Sequence, residues 1–141
     1  MGFDLERFVR AQEFVYEGVL AELRRGRKTG HWIWFIFPQV AGLGHSEMSA
    51  RYGIGSLAEA QAYLAHPVLG ARLRECAGIL LGLHGRTAEA IFGQLDALKV
   101  RSSMTLFSRA APSEAIFGDV LARYFGGVPD RLTEARLGPG A

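Results

Sequence analysis

Asparagine is absent from this chain, cysteine occurs once, at Cys76, and lysine twice, at Lys28 and Lys99. Each scarcity excludes something. A lone cysteine closes no internal disulfide and builds no thiolate metal cage. Its neighbours, ARLRECAGILL, place it on a helix among apolar residues, the setting of a small core side chain. An activated thiol would need polar, electropositive surroundings. No apolar run approaches the roughly 18 residues that cross a bilayer. The start, MGFDLERFVRAQEF, carries acids early and runs straight into a helical pattern, unlike a secretory leader, so a cytoplasmic protein without a membrane partner is expected. The formal net charge is only +2, with the basic residues spread along the chain, so charge alone does not suggest nucleic-acid binding and no nucleic-acid partner is expected. There is no His-Glu-x-x-His, and His31, His45, His66 and His84 are too scattered to specify a metal; no metal and no cofactor are expected.

The 141 residues, 49% hydrophobic and 21% charged, suit one domain with one core. From Asp4, a plausible N-cap, to Arg25, apolar residues at Leu5, Phe8, Val15, Val19 and Leu23 predict a helix packed on one face and stopped by Gly26. Residues His31 to Phe37 are apolar on both faces, a buried strand or a short buried helix ended by Pro38. Glycines 42, 44, 53 and 55 predict irregular backbone from Ala41 to Gly55. Ser56-Leu-Ala-Glu59 has the capping-box spacing of a helix start. His66-Pro67 opens the next helix, with Val68, Leu69, Leu73, Cys76, Leu80 and Leu83 in its buried stripe. Thr87 caps a short helix to Phe92, a longer one spans Gln94 to Ala110, and a last strong one runs from Ser113 to Phe125 before Gly126-Gly127. The tail adds one turn and then frays, over 138–141. No alternating strands appear. The expectation is therefore a mainly α, compact single domain over 1–137, of about six helices, with a glycine-rich loop after a buried aromatic segment.

Three stretches could carry chemistry. The first is KTGHWIWFIFPQ, residues 28 to 39, where the only two tryptophans sit two apart between polar flanks. It is core, or it is a pocket wall on which Trp32 or Trp34 stacks against a planar ligand while Lys28, His31 and Gln39 supply polar edges. The second is GLGHSEMSARYG, in which Gly44 and Ser46 could shape an anion-binding nest and Tyr52 adds an aromatic face; a tight surface loop is the alternative. It is neither a Walker loop nor a dinucleotide fingerprint. The third is DALKVRSS, with Asp96 and Lys99 three apart. They could pair on the surface, or Lys99, Ser102 and Ser103 could face the anionic part of a ligand. Adjacent serines inside a helix are poor helix formers and ask for a cap, a bend or a contact. Of the 16 basic residues 14 are arginine, so the two lysines stand out against a strong bias, and an ammonium is not interchangeable with a guanidinium. His31 and Asp96 are the candidates for acid–base work. A triad of Ser46, His31 and Asp96 could be assembled, but no nucleophile elbow supports it.

RFVRAQEFVYEGVLAELRRGRKTGHWIWFIFPQ, GLGHSEMSARYGIGSLAEAQAYLAHPVLGARLRE, IFGQLDALKVRSSMTLF and YFGGVPDRLT together resemble the domain-of-unknown-function family DUF1810, some members of which carry a calpastatin label. The resemblance covers nearly the whole chain and implies a compact helical domain, without implying a reaction. Ser56 through Tyr63 and Lys99 to Phe107 are also similar, more loosely, to the NADAR group of small helical domains that act on ADP-ribose conjugates. That group's Glu-His-aromatic pattern is replaced here by Glu59-Ala60, and no catalytic glutamate is carried over. The expected partner is a nucleotide-like, phosphate-bearing small molecule, ADP-ribose or NAD derived, with hydrolysis of an N-glycosidic or ADP-ribosyl bond as the activity to test. The alternative is a non-catalytic module that docks a protein partner through the aromatic segment.

Overall fold

The computed structural model describes residues 2–139. Residues 140 and 141 of the tail expected to fray lie outside them. Ten helices follow one another: α1 (Glu6–Gln12), α2 (Tyr16–Arg25), α3 (Ile33–Ile36), α4 (Glu47–Tyr52), α5 (Leu57–Ala65), α6 (Leu69–Gly82), α7 (Ala88–Phe92), α8 (Gln94–Ala110), α9 (Ala115–Phe125) and α10 (Arg131–Leu137). Among the described residues there is no strand, and a single parallel bridge joins Val40 to Ile54. Among the described residues no helix is long and apolar enough to cross a membrane.

α8 is the axis. From Ser102 to Phe107 every residue is buried, whatever side of the helix it occupies, because α5, α7, α9 and α10 all pack on it and α3 touches it. A helix enclosed this way needs no amphipathic stripe. Phe107 stands between Tyr63 of α5, at 5.3 Å between ring centroids, and Phe117 of α9, at 5.9 Å. Rings at such separations add to what their burial contributes.

Ten helices replace the expected six for local reasons. The helix expected from Asp4 to Arg25 breaks at residues 13–15, where Val15 N–H bonds Gln12 O. Gln12 sits at this break, where its buried amide donates to Phe35 O at 2.7 Å and to Tyr63 Oη at 3.1 Å. α1 is thereby docked on α3 while α2 turns onto α6. Val15, expected in the buried stripe, ends 38% exposed beside Phe14. Leu5, without a side-chain bond, takes the N-cap place expected of Asp4. The aromatic segment resolves as the short helix α3, and the glycine-rich stretch contains α4, capped by Ser46.

Other starts shift slightly. α6 begins at Leu69 rather than at Pro67, with His66 Nδ1 accepting from the Val68 and Leu69 N–H groups. Ser56 Oγ accepts from Glu59 N as a capping box requires. The glutamate does not return the bond to Ser56: its Oε1 accepts from Gly55 N and its Oε2 holds Arg7. The tail adds α10, nearly two turns, tied to α8 through side-chain hydroxyls.

Candidate functional site

Lys28, Asp96 and Lys99 come together. The chain from α2 to α3 runs beside α7, where Lys28 N–H bonds Ile91 O at 2.7 Å, and α8 starts just after α7. Lys28 Nζ lies 2.7 Å from Asp96 Oδ2, and Lys99 Nζ, one helical turn on, lies 3.5 Å from Oδ1. One carboxylate thus serves both lysines of the protein. They are not equivalent. Lys28 is 7% exposed, also donates to Gly30 O at 2.5 Å, and sits 5.1 Å from the Trp32 ring. Lys99 is 25% exposed, more loosely paired, and 5.8 Å from the Trp34 ring. Each lysine has its own tryptophan, the inner pair fixed and the outer pair open.

The two tryptophans divide accordingly. Trp32 is buried against Phe37 and Phe92. Its indole N–H donates to Glu22 Oε1 at 3.0 Å, and the same oxygen accepts from Thr29 N and Gly30 N. Burial alone would raise the Glu22 carboxyl, but these hydrogen bonds outweigh it and hold it below its ordinary value. Trp34, two residues on, is half-buried and faces the glycine-rich loop.

That loop is closed by Ala41 N to Ile54 O at 2.7 Å and Ile54 N to Gln39 O at 2.8 Å. Gly53 lets the two limbs meet, since a Cβ there would lie 2.9 Å from Ala41 Cα. At Gly44 a Cβ would collide with Ser49 Oγ. Ser46 Oγ accepts from Ser49 N at 3.1 Å and contacts Ser49 Oγ at 3.0 Å, so its hydroxyl is engaged as the cap of α4. Between loop and Trp34, the gap lined by Gln39, Gly44 and Tyr52 has a volume of about 10 Å³. That is room for one water. A planar ring does not fit between them.

The remaining sequence candidates lie elsewhere. His31 is exposed and lines a separate apolar groove of about 270 Å³ with Phe14, Val15 and Trp32; no hydrogen bond or ion pair joins it to Asp96. Ser102 Oγ is 2.7 Å from Thr133 Oγ1, whose own proton goes to Asp130 Oδ2, so Ser102 is the donor and anchors α10. Ser103 is fully buried, and its hydroxyl has no partner among the described residues.

A further cleft shares only Tyr52 with the candidate residues of the sequence. Between the start of α1 and the end of α4, a space of about 570 Å³ is lined by Asp4, Arg7, Arg10, Arg51 and Tyr52. With 14 arginines in the chain, none of these three drew notice. The only sequence signal was the three-residue spacing of Arg7 and Arg10 on one helix.

Residues 2–137 match the family described as "Protein of unknown function (DUF1810)". This chain belongs to DUF1810. The crystal structure of the conserved hypothetical protein Rv1873 from Mycobacterium tuberculosis is similar, with a TM-score of 0.94 and 57% identity over 96% of each chain. Comparison with curated proteins yields no match. The DUF1810 match runs from before α1 to the end of α10, so the lysine corner and the arginine cleft both fall within it. Elsewhere in this DUF1810 chain burial pushes the Cys76 thiol up to about 12 and raises the Tyr63 hydroxyl inside the core, while the hydrogen bond from Arg74 holds the Glu114 carboxyl below its ordinary value. Cys76 is the small core residue its neighbours implied.

Proposed function

We propose that this protein binds a nucleotide-like, phosphate-bearing small molecule on the outer face of Trp34, with ADP-ribose and NAD derivatives as first candidates. The observation that carries it is the count of charges at Asp96: two ammonium groups share one carboxylate, and the less tightly held one stands beside the half-exposed indole. The excess positive charge attracts an anion, and the ring offers a planar base a stacking surface. Lys28 and Asp96 then act as the fixed support that aims Lys99, while Gln39 and Tyr52 line the loop side of the ring and back it. Binding is favoured over catalysis, because both Asp96 oxygens are engaged by lysines and His31 opens onto a different groove. If an N-glycosidic or ADP-ribosyl bond were hydrolysed here, Asp96 would be the group at hand for proton transfer.

A thermal-shift titration with AMP, NAD and ADP-ribose tests this, since a ligand bound only by the folded chain raises its melting temperature. A rise with at least one of them, abolished in Lys99→Ala, is expected; no rise with any at millimolar concentration rejects the proposal. A second reading rests on Phe14, 93% exposed at the edge of the His31 groove, where Val15, Trp32 and Phe35 also line the wall. A protein partner inserting an apolar side chain there would bury Phe14, and Phe14→Ser would then weaken association without changing the ligand response.

A further inference from the structure

Arg7, Arg10 and Arg51 meet in one cleft and are used differently. Arg7 is spent on the fold. Its Nε donates to Arg51 O at 2.7 Å, one terminal nitrogen bonds Asp4 O, and the other bonds Gly53 O and the Glu59 carboxylate, both at 2.9 Å. It ties α1 to the end of α4 and to α5, and its charge is matched by Glu59. Arg10 and Arg51 reach the same space from two different helices. Both are exposed, and neither has an ion pair or a side-chain hydrogen bond among the described residues. The one carboxylate lining the cleft is that of Asp4.

We propose that this cleft is a second ligand site, distinct from the Trp34 face, and that it takes a small hydroxyl-bearing phosphate monoester, a sugar phosphate in chemical class. Two guanidinium forks on separate helices suit a phosphate dianion, whose three terminal oxygens can serve both; a single carboxylate would satisfy one fork and leave the other idle. The 570 Å³ space exceeds what a bare phosphate fills and lies within the ordinary size of small-molecule sites. Asp4 supplies an acceptor for a hydroxyl of the same molecule. It also disfavours a long polyanion. A nucleic-acid strand would need a basic track beyond two side chains, and the net charge of +2 is not gathered into one.

Isothermal titration of the whole protein with ribose 5-phosphate, inorganic phosphate and a single-stranded RNA decamer tests the proposal. Saturable one-to-one binding of ribose 5-phosphate is expected, tighter than that of inorganic phosphate. Arg10→Ala and Arg51→Ala should each weaken it by about tenfold or more, and Arg51→Lys should recover part of the loss, because the charge returns without the fork. Asp4→Ala should remove the preference over inorganic phosphate. Circular dichroism of each variant reports whether the fold is kept, and exposed Arg10 and Arg51 carry no bond whose loss would unfold it. Absence of saturable ribose 5-phosphate binding overturns the proposal, as does binding untouched by Arg10→Ala and Arg51→Ala, or binding of the RNA alone. Loss of ribose 5-phosphate binding in Lys99→Ala would also overturn it, since a single shared site would then explain both surfaces. Failure of the Trp34 proposal shows separately, as ADP-ribose binding that Lys99→Ala leaves intact.

Discussion

The lysine corner and the arginine cleft solve the same problem with different stoichiometry. In each, a partly buried carboxylate fixes one cation against the fold: Asp96 holds Lys28, and Glu59 holds Arg7. Glu59 has nothing to spare, its second oxygen being taken by Gly55 N. Asp96 is shared, so its second oxygen holds Lys99 loosely. The difference separates structure from recognition. A cation with a dedicated carboxylate and carbonyl partners is a strut, whereas a cation with half a carboxylate, or none, is available to a ligand.

The strongest test of that division is Glu59→Ala. It strands the Arg7 guanidinium, 17% exposed, and orphans Gly55 N–H at the start of α5. Removing one partner of a buried pair costs about 3–5 kcal/mol, and urea unfolding should show a loss in that range. Loss of less than about 1 kcal/mol would mean that Arg7 finds other partners and is no strut. Lys28→Met comes next, at about 2 kcal/mol, because the thioether keeps the packing against Trp32 while Asp96 and Gly30 O lose their short contacts. The comparison breaks if Lys28→Met and Lys99→Ala prove equally costly.

Much of this was legible in advance. α8 spans the Gln94–Ala110 expected of it, and α7 starts after the Thr87 cap and ends at Phe92 before Gly93, as expected. Lys28 and Lys99 stood out because composition made them exceptional, and their meeting at Asp96 needed only that the segment before α3 return to the start of α8. What was hidden depended on tertiary contacts. The break after α1 lies at a buried glutamine bonded to Phe35 O, a contact that no local propensity encodes. α4 was masked by glycines that serve loop closure instead. Ser102 was noticed as an odd helix residue, but its partner, Thr133, lies 31 positions away. The arginine cleft was hidden by arginine's own abundance.

Glu22 offers a smaller, pH-dependent test of the fixed side. Its carboxyl is lowered in the folded protein, so its stabilisation is present above the unfolded carboxyl range and is lost as pH falls through the folded value. Glu22→Gln should cost about 1 kcal/mol near neutral pH, by replacing charge-assisted bonds from Thr29, Gly30 and Trp32 with neutral ones. The gap between wild type and variant should close on acidification below about pH 4, read as melting temperature against pH. A gap that stays constant with pH would show that the Trp32 clamp does not depend on the charge.

The smallest stability effect should belong to the residue with the largest role in recognition. Lys99→Ala removes a loose pair between positions three apart on a helix, worth about 0.5 kcal/mol or less. Asp96 keeps Lys28, so no charge is stranded, and Ala is the better helix former. Affinity for the Trp34-face ligand should nonetheless fall by about tenfold or more. Such a split, stability kept and binding lost, is what a half-shared carboxylate makes achievable: the fold relies on one ammonium and leaves the other to the ligand. A Lys99→Ala chain that loses stability as Lys28→Met does would place both lysines among the struts and remove the charge argument for the Trp34 face.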